Sequence, residues 1–326
     1  STSNEERVVY LSANENFYLG QPKIDSFAVH VYSTKEEILS AINSGRVTAT
    51  AELSATEANG VSNANFYQQD AGINSGVFAF FNLKKSVLSK NSLRKAIQEG
   101  IDISAIREAA PGTIALDFPL LENQIILSNY PALPAQDFEV AKAKIAEIIG
   151  ENGLTLNIAT VDSEYLPAVA EKLAEQLRAL GIEASISTYA ENQEFVANVI
   201  AKRDYDILVY EIELGTKPDP LAYYHSSQTG ETGLNLSNYR NTLVDDLLVG
   251  ARETLNEGLR AKKYERFLEY FVQDVPAIGL YQANLTYIYN KNTRTFGNQI
   301  KLAAKLDRFS NITDWAAAKG TRNLTP

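Results

Sequence analysis

The sequence predicts an α/β protein organised around a parallel sheet. Between residues 154 and 212, runs of alternating apolar residues take turns with runs of helical period. Short connections join these runs, with Gly150 and Gly181 standing where helices should stop. Strand–helix–strand units joined this tightly close as right-handed crossovers between parallel strands.

The elements follow in sequence order. Val8, Val9, Tyr10 and Leu11 read as a first extended piece, and Phe27, Val29 and Val31 as a second, separated by a loop holding Gly20 and Pro22. Ser33 or Thr34 is placed to cap a helix carrying Ile38, Leu39 and Ile42, which Gly45 ends. Val77 to Phe81 is a further extended run, followed by a helix with Leu93, Ala96, Ile97 and Ile101. Pro111 to Pro134 shows no period and reads as irregular. The helix with Val140, Ala141, Ile145 and Ile148 stops at Gly150, and Leu154, Leu156 and Ile158 alternate as a strand. Leu166, Val169, Ala170, Leu173 and Leu177 mark the next helix, and Ile182 to Ile186 the next strand. A helix with Phe195, Val196, Val199 and Ile200 leads into a strand from Tyr205 to Ile212. Residues 215–239 are rich in Gly, Pro, Asp, Ser and Tyr and read as a functional loop. Two helices follow, then extended runs at Ile278–Tyr281 and Thr286–Tyr289.

The 326 residues suffice for a substantial core. A hydrophobic share of 45% with 21% charged residues excludes intrinsic disorder. The net charge of −10, with no basic stripe, argues against nucleic acid as a partner. The absence of cysteine excludes disulfides, thiolate metal sites and a cysteine nucleophile. No apolar run approaches the length of a membrane span. A sequence with no methionine that opens on Ser-Thr-Ser implies that residue 1 is not a translation start.

Six segments, taken in order, resemble the family 5 bacterial extracellular solute-binding proteins, which serve ABC importers of oligopeptides and related solutes. They are ANENFYLGQPKIDSF, FFNLKKSVLSKNSLRKAIQEGIDISAI, PDPLAYYHSS, LNLSNYRNTLVDDLL, RAKKYERFLEYFVQDVPAIGLY and DRFSNITDW. The resemblance implies a periplasmic-binding-protein-like α/β fold with one complete lobe and part of a second. Residues 1–77 would be the later part of the first lobe, 78–283 the second lobe with its flanking hinge strands, and 284–326 the return to the first. The hinge strands would be Val77–Asn82 and Ile278–Ala283. The rest of the first lobe, with any lipid anchor that ties the protein to a membrane, would precede residue 1.

The resemblance also implies a ligand held between lobes along the strand entering the Asp-Pro loop, here Tyr205 to Glu213. Pairing of backbone groups there gives affinity without reading side chains. Peptide-binding members usually carry a Trp and an Asp just after this strand, the Asp meeting the peptide's amino group. This sequence reads YEIELGTKPDP instead, with Ile212 or Glu213 near the Trp position and Gly215 or Thr216 near the Asp. Glu211 and Glu213 flank Ile212 and so share one strand face, where they meet either a cationic group or only solvent. The candidate ligand-binding residues are Tyr210, Glu211, Ile212, Glu213, Thr216, Tyr223, Tyr224 and Asn82. Tyr223 and Tyr224 offer apolar area with a polar tip, or pack in the core. Asn82 is expected to bond across the hinge before it touches a ligand. Asp219 is expected to form a turn, and Arg94 and Asp102 to hold the fold.

Catalytic motifs are missing from the sequence. His30 and His225 stand far apart with no second ligand at metal spacing, and no nucleophile elbow, dinucleotide fingerprint or Walker loop occurs. The expectation is a binding protein without catalytic residues, cofactor or metal, capturing a peptide or small cationic solute for the transmembrane subunits of an ABC permease, outside the cytoplasm. A solute-sensing or interaction module on the same fold is the alternative.

Overall fold

The computed structural model describes residues 7–18, 20–295 and 302–318. The protein divides into two compact units, Ser1–Ile73 with Asn284–Pro326, and Asn74–Ala283. The backbone therefore passes between them twice, at Ile73–Asn74 and Ala283–Asn284.

In the first unit, β1 (Arg7–Ser12) and β2 (Ser26–Val31) pair antiparallel, with Val9 opposite Val29. The helix α1 (Lys35–Asn43) starts at a reciprocal cap: the Glu37 N–H donates to Thr34 Oγ1 at 3.2 Å and the Thr34 N–H to Glu37 Oε2 at 3.3 Å. Next come β3 (Ala49–Thr50), α2 (Ala55–Ala58) and β4 (Phe66–Gly72). Strands β3 and β4 flank a strand from the C-terminal part, Asn284–Asn290, in an antiparallel sheet. Leu285, Tyr287, Ile73, Leu302 and Trp315 form the core here.

The second unit opens with β5 (Ser75–Phe81), every residue of which is buried. The helices α3 (Asn91–Gly100) and α4 (Ile103–Arg107) precede the two-residue strand β6 (Ile114–Ala115) inside the irregular stretch. Then α5 (Phe138–Ile149), β7 (Thr155–Val161), α6 (Leu166–Ala179) and β8 (Glu183–Tyr189) follow as the periods predict. Gly150 ends α5 at φ +61, a backbone that any larger residue would strain. Leu166, Val169, Ala170, Leu173 and Leu177 of α6 are all buried, so Leu173→Ala would cost about 2–5 kcal/mol. The helix expected at 195–200 is shorter than its apolar period suggests. It is one turn, α7 (Gln193–Phe195), running into a π turn closed by the Ala201 N–H on the Val196 carbonyl.

Strand β9 (Ile207–Glu213) leads to α8 (Leu221–Tyr224), α9 (Thr242–Glu253), α10 (Glu257–Asp274) and β10 (Ala277–Gln282), and β11 (Asn284–Asn290) returns to the first unit. The large sheet runs β6-β10-β5-β9-β7-β8. β7 is parallel to both β8 and β9, while β5 is antiparallel to β9 and β10. The parallel core is therefore real but forms only one side of a mixed sheet. β10 breaks register between Gly279 and Tyr281, and a Cβ on Gly279 would lie 2.6 Å from the carbonyl oxygens of Leu116 and Asp117.

Candidate ligand-binding site

The two edges of β9 differ. β5 pairs with it along its whole length, from Phe81 opposite Ile207 to Ser75 opposite Glu213. On the other side β7 pairs only with Ile207 and Leu208, and no ladder pairing continues beyond Leu208 among the described residues. The Leu214 N–H donates to the Asn74 carbonyl on the β5 side at 2.8 Å. Backbone direction alternates along a strand, so Val209, Glu211 and Glu213 turn their peptide groups to the other side. Thr160 Oγ1 meets the Val209 carbonyl there at 3.0 Å, and the Tyr223 hydroxyl meets the Glu213 carbonyl at 2.8 Å.

The residues of β9 sort by face. Glu211 and Glu213 are exposed and Ile212 between them is buried. Register puts Glu211 on one face with Val77 and Tyr281, and Glu213 beside Ser75. Tyr210 lies on the other face, where its ring sits 5.8 Å from Phe195, itself 5.6 Å from Tyr189, and its hydroxyl donates to Glu191 at 2.8 Å. Burial first, then the Glu191 bond and charge and the Glu211 charge, push the Tyr210 hydroxyl up. Burial and then Glu211 and Glu164 do the same for Tyr281. Tyr223 is pushed up to about 12, by burial and then by Glu213. All three tyrosines are thus neutral hydrogen-bond donors at neutral pH, beside carboxylates that set a negative potential. These groups sit at the carboxyl end of β9 with the loops after β7 and β8, where open α/β sheets bind ligands. The arrangement supplies a strand edge, a negative field and aromatic area.

A family model for the bacterial extracellular solute-binding proteins, family 5 (middle), matches residues 1–234. The chain belongs to that family. Its curated relatives include the oligopeptide-binding protein AppA of Bacillus subtilis, 24% identical over 337 residues that span 95% of this protein and 59% of AppA. The peptide transport periplasmic protein SapA of Haemophilus influenzae is 24% identical over 321 residues, 93% of this protein and 55% of SapA. The 326 residues therefore span a little over half the length of these relatives. Among solved structures, the ABC transporter substrate-binding protein CtaP of Listeria monocytogenes superposes with a TM-score of 0.84 at 20% identity, over 96% of this protein and 64% of CtaP. That likeness establishes the fold, the α/β periplasmic-binding-protein type.

Within this solute-binding fold, Tyr210, Glu211, Glu213 and Tyr223 come together at the end of β9. Ile212 is 4% exposed and packs in the core. Thr216 is exposed in the loop just beyond, after Gly215, whose carbonyl accepts from Asn74 Nδ2 at 2.8 Å and Gln124 Nε2 at 2.9 Å.

Three of the candidate ligand-binding residues need correction: Ile212, which is core, and the following two. Tyr224 is fully buried against Phe267 and Phe271, because α8 turns it inward while Tyr223 stays half-buried. Asn82 lies at the opposite end of β5, 1% exposed. Its amide donates to the Arg203 and Tyr205 carbonyls at 3.0 and 2.9 Å, and its oxygen accepts from Asn238 at 3.0 Å and the Lys84 N–H at 3.2 Å. It ties β5 to the turn before β9 and has no capacity left for a ligand.

Asp219 forms a two-pronged pair with Arg252, at 2.7 and 3.3 Å. Asp102 caps α4 through the Ala105 N–H at 3.1 Å. Sequence reasoning missed Tyr189, Glu191, Phe195 and Tyr281. The first three lie at or just after the end of β8, and the rule that parallel strands present ligands at their carboxyl ends was the available signal. Tyr281 had none, since its place beside Glu211 depends on sheet order.

Proposed function

We propose that this protein is the solute-capturing part of an extracytoplasmic binding protein that serves an ABC importer, with a peptide as its ligand. The half-covered edge of β9 carries the reading: an extended ligand pairs there through backbone groups, which accept many sequences. Glu211 and Glu213 on one face favour a ligand with a cationic group, either a basic peptide or a small cationic solute. The names of AppA and SapA, which speak of oligopeptide binding and peptide transport, support the same class.

In this proposal the first lobe holds residues 1–73 and 284–326 and the second 74–283, so the first lobe ends a few residues before the position 77 that the sequence suggests. The two places where the backbone passes between units act as the hinge. Ligand shifts an open–closed equilibrium, and the closed form is handed to the permease's transmembrane subunits. No step makes or breaks a covalent bond, so the ligand leaves as it arrived. In the same proposal a lipid anchor holds the protein at the membrane.

Native mass spectrometry of the intact protein mixed with a peptide pool tests this. A retained subset of peptides, unaltered in mass and enriched in Lys or Arg, is expected. Retention of none, or conversion to cleaved products, overturns the reading.

A further inference from the structure

We infer that Asn152 is a site of spontaneous deamidation, and that the fold protects the other Asn-Gly pair, Asn59–Gly60, from the same reaction. Only these two asparagines precede glycine, the neighbour that leaves the backbone nitrogen least hindered. In the reaction the Gly N–H loses its proton and the nitrogen attacks the asparagine Cγ. A new C–N bond forms, the C–N bond of the asparagine amide breaks, and ammonia leaves. Water then opens the resulting succinimide at either carbonyl, giving aspartate or isoaspartate. No oxidant or enzyme is needed.

The two pairs differ in how the glycine nitrogen is held. Asn152 closes a single 3-10 turn, Gly150–Asn152, and both it and Gly153 are exposed. Neither the Asn152 amide group nor the Gly153 N–H has a hydrogen-bond partner among the described residues, and no atom lies within 4 Å of a Cβ built on Gly153. Gly153 also adopts φ +64, a conformation open to few other residues. Asn59 and Gly60 are equally exposed, so exposure alone does not separate the pairs. There, however, the Gly60 N–H donates to the Glu57 carbonyl at 3.0 Å, and the Gly60 carbonyl accepts from Asn43 Nδ2, also at 3.0 Å. A Cβ on Gly60 would stand 2.7 Å from Leu39. To attack, the Gly60 nitrogen must break its bond and turn within that packing. One net hydrogen bond alone slows it about fivefold.

Each event adds one negative charge to a protein already at −10 and, in the isoaspartate product, a methylene to the backbone just before β7. The ligand-binding end of β7 and β9 lies at the far end of these strands, so acidic isoforms should accumulate without loss of binding.

The test is incubation of the folded protein at mildly alkaline pH for days, followed by tryptic mapping. Peptide 145–172 should gain the mass of an amide-to-acid change at Asn152, as an aspartate and isoaspartate mixture, at least about fivefold faster than Asn59 changes in peptide 47–84. In urea, where both turns are unfolded, the two rates should converge. Asn152→Gln should abolish the acidic isoform and leave the fold intact. Equal rates in the folded protein, faster change at Asn59, or an unchanged Asn152 would each overturn the inference.

Discussion

The Tyr223 hydroxyl donates to the Glu213 carbonyl at 2.8 Å and so occupies the last outward-facing acceptor of β9. A residue of the loop thereby caps the strand whose edge the ligand is proposed to share. The hydroxyl keeps its proton because burial and the Glu213 charge push it up to about 12. Tyr223→Phe should lower stability by about 0.5–1.5 kcal/mol, the net worth of one hydrogen bond. Urea unfolding measures this, and an unchanged midpoint would mean that the bond is not made in solution.

The Glu213 carboxylate is exposed and has no hydrogen-bond or ion-pair partner among the described residues. Its charge is available to a ligand cation. Glu213→Gln should weaken binding of a lysine-containing peptide by about 1 kcal/mol, roughly fivefold, because the pair sits in high dielectric. Titration calorimetry with the matching norleucine peptide should show no change. Equal losses for both peptides would point to altered shape rather than charge.

Arg94 is 3% exposed, and its guanidinium fork serves four carbonyls, those of Leu88, Ser89, Asp274 and Val275. The last two end α10, where Val275 takes the left-handed conformation at φ +47 despite its branched Cβ. Burial lowers the Arg94 pKa and Asp274 opposes that shift. Arg94→Ala should cost about 3 kcal/mol or more, since several buried carbonyls lose their donors. Arg94→Lys should recover only part of it, because an ammonium cannot fork. Full recovery by lysine in chemical denaturation would show that charge alone matters.

Tyr264 is almost fully buried with its hydroxyl on the Pro218 carbonyl at 2.6 Å, and burial, then the Asp219 charge, push it up to about 12. The unfolded state releases such a proton near the ordinary tyrosine value of 10.0, while the folded state still holds it. Folded protein therefore binds more protons across this window, and stability falls as pH rises from about 10 toward 12. Melting temperature against pH should show that decline, and Tyr264→Phe should make it less steep, the other buried tyrosines keeping the rest. A profile unchanged by the substitution would remove Tyr264 from the account.

How far the sequence speaks depends on whether its signal is local. The helix with Leu166, Val169, Ala170, Leu173 and Leu177 and the strands on either side are legible because period and glycine stops agree there. The exposed pair Glu211 and Glu213 around buried Ile212 is legible for the same reason, since alternation alone fixes the faces. The turn after Phe195 is not, because a π turn keeps the apolar spacing of a helix while changing its hydrogen bonds. Tyr223 and Tyr224 are adjacent and alike, and only the direction of a four-residue helix decides which one packs against Phe267. Asn82 reads as a hinge residue from its position after a strand, but its partners Arg203 and Asn238 lie more than a hundred positions away. The strand edge itself depends on β9 lying between β5 and β7, which no single segment records.

We propose that the protein holds a peptide at the end of β9 and releases it unaltered. A thermal-shift screen of the protein against neutral and lysine-containing peptides, with the peptides recovered afterwards, tests this. Stabilisation by about 2.7 kcal/mol at a hundredfold excess over Kd, stronger binding of the lysine-containing peptides, and recovery of the peptides unaltered are expected. No stabilisation of the intact protein by any peptide, or recovery of cleaved peptide, would contradict it.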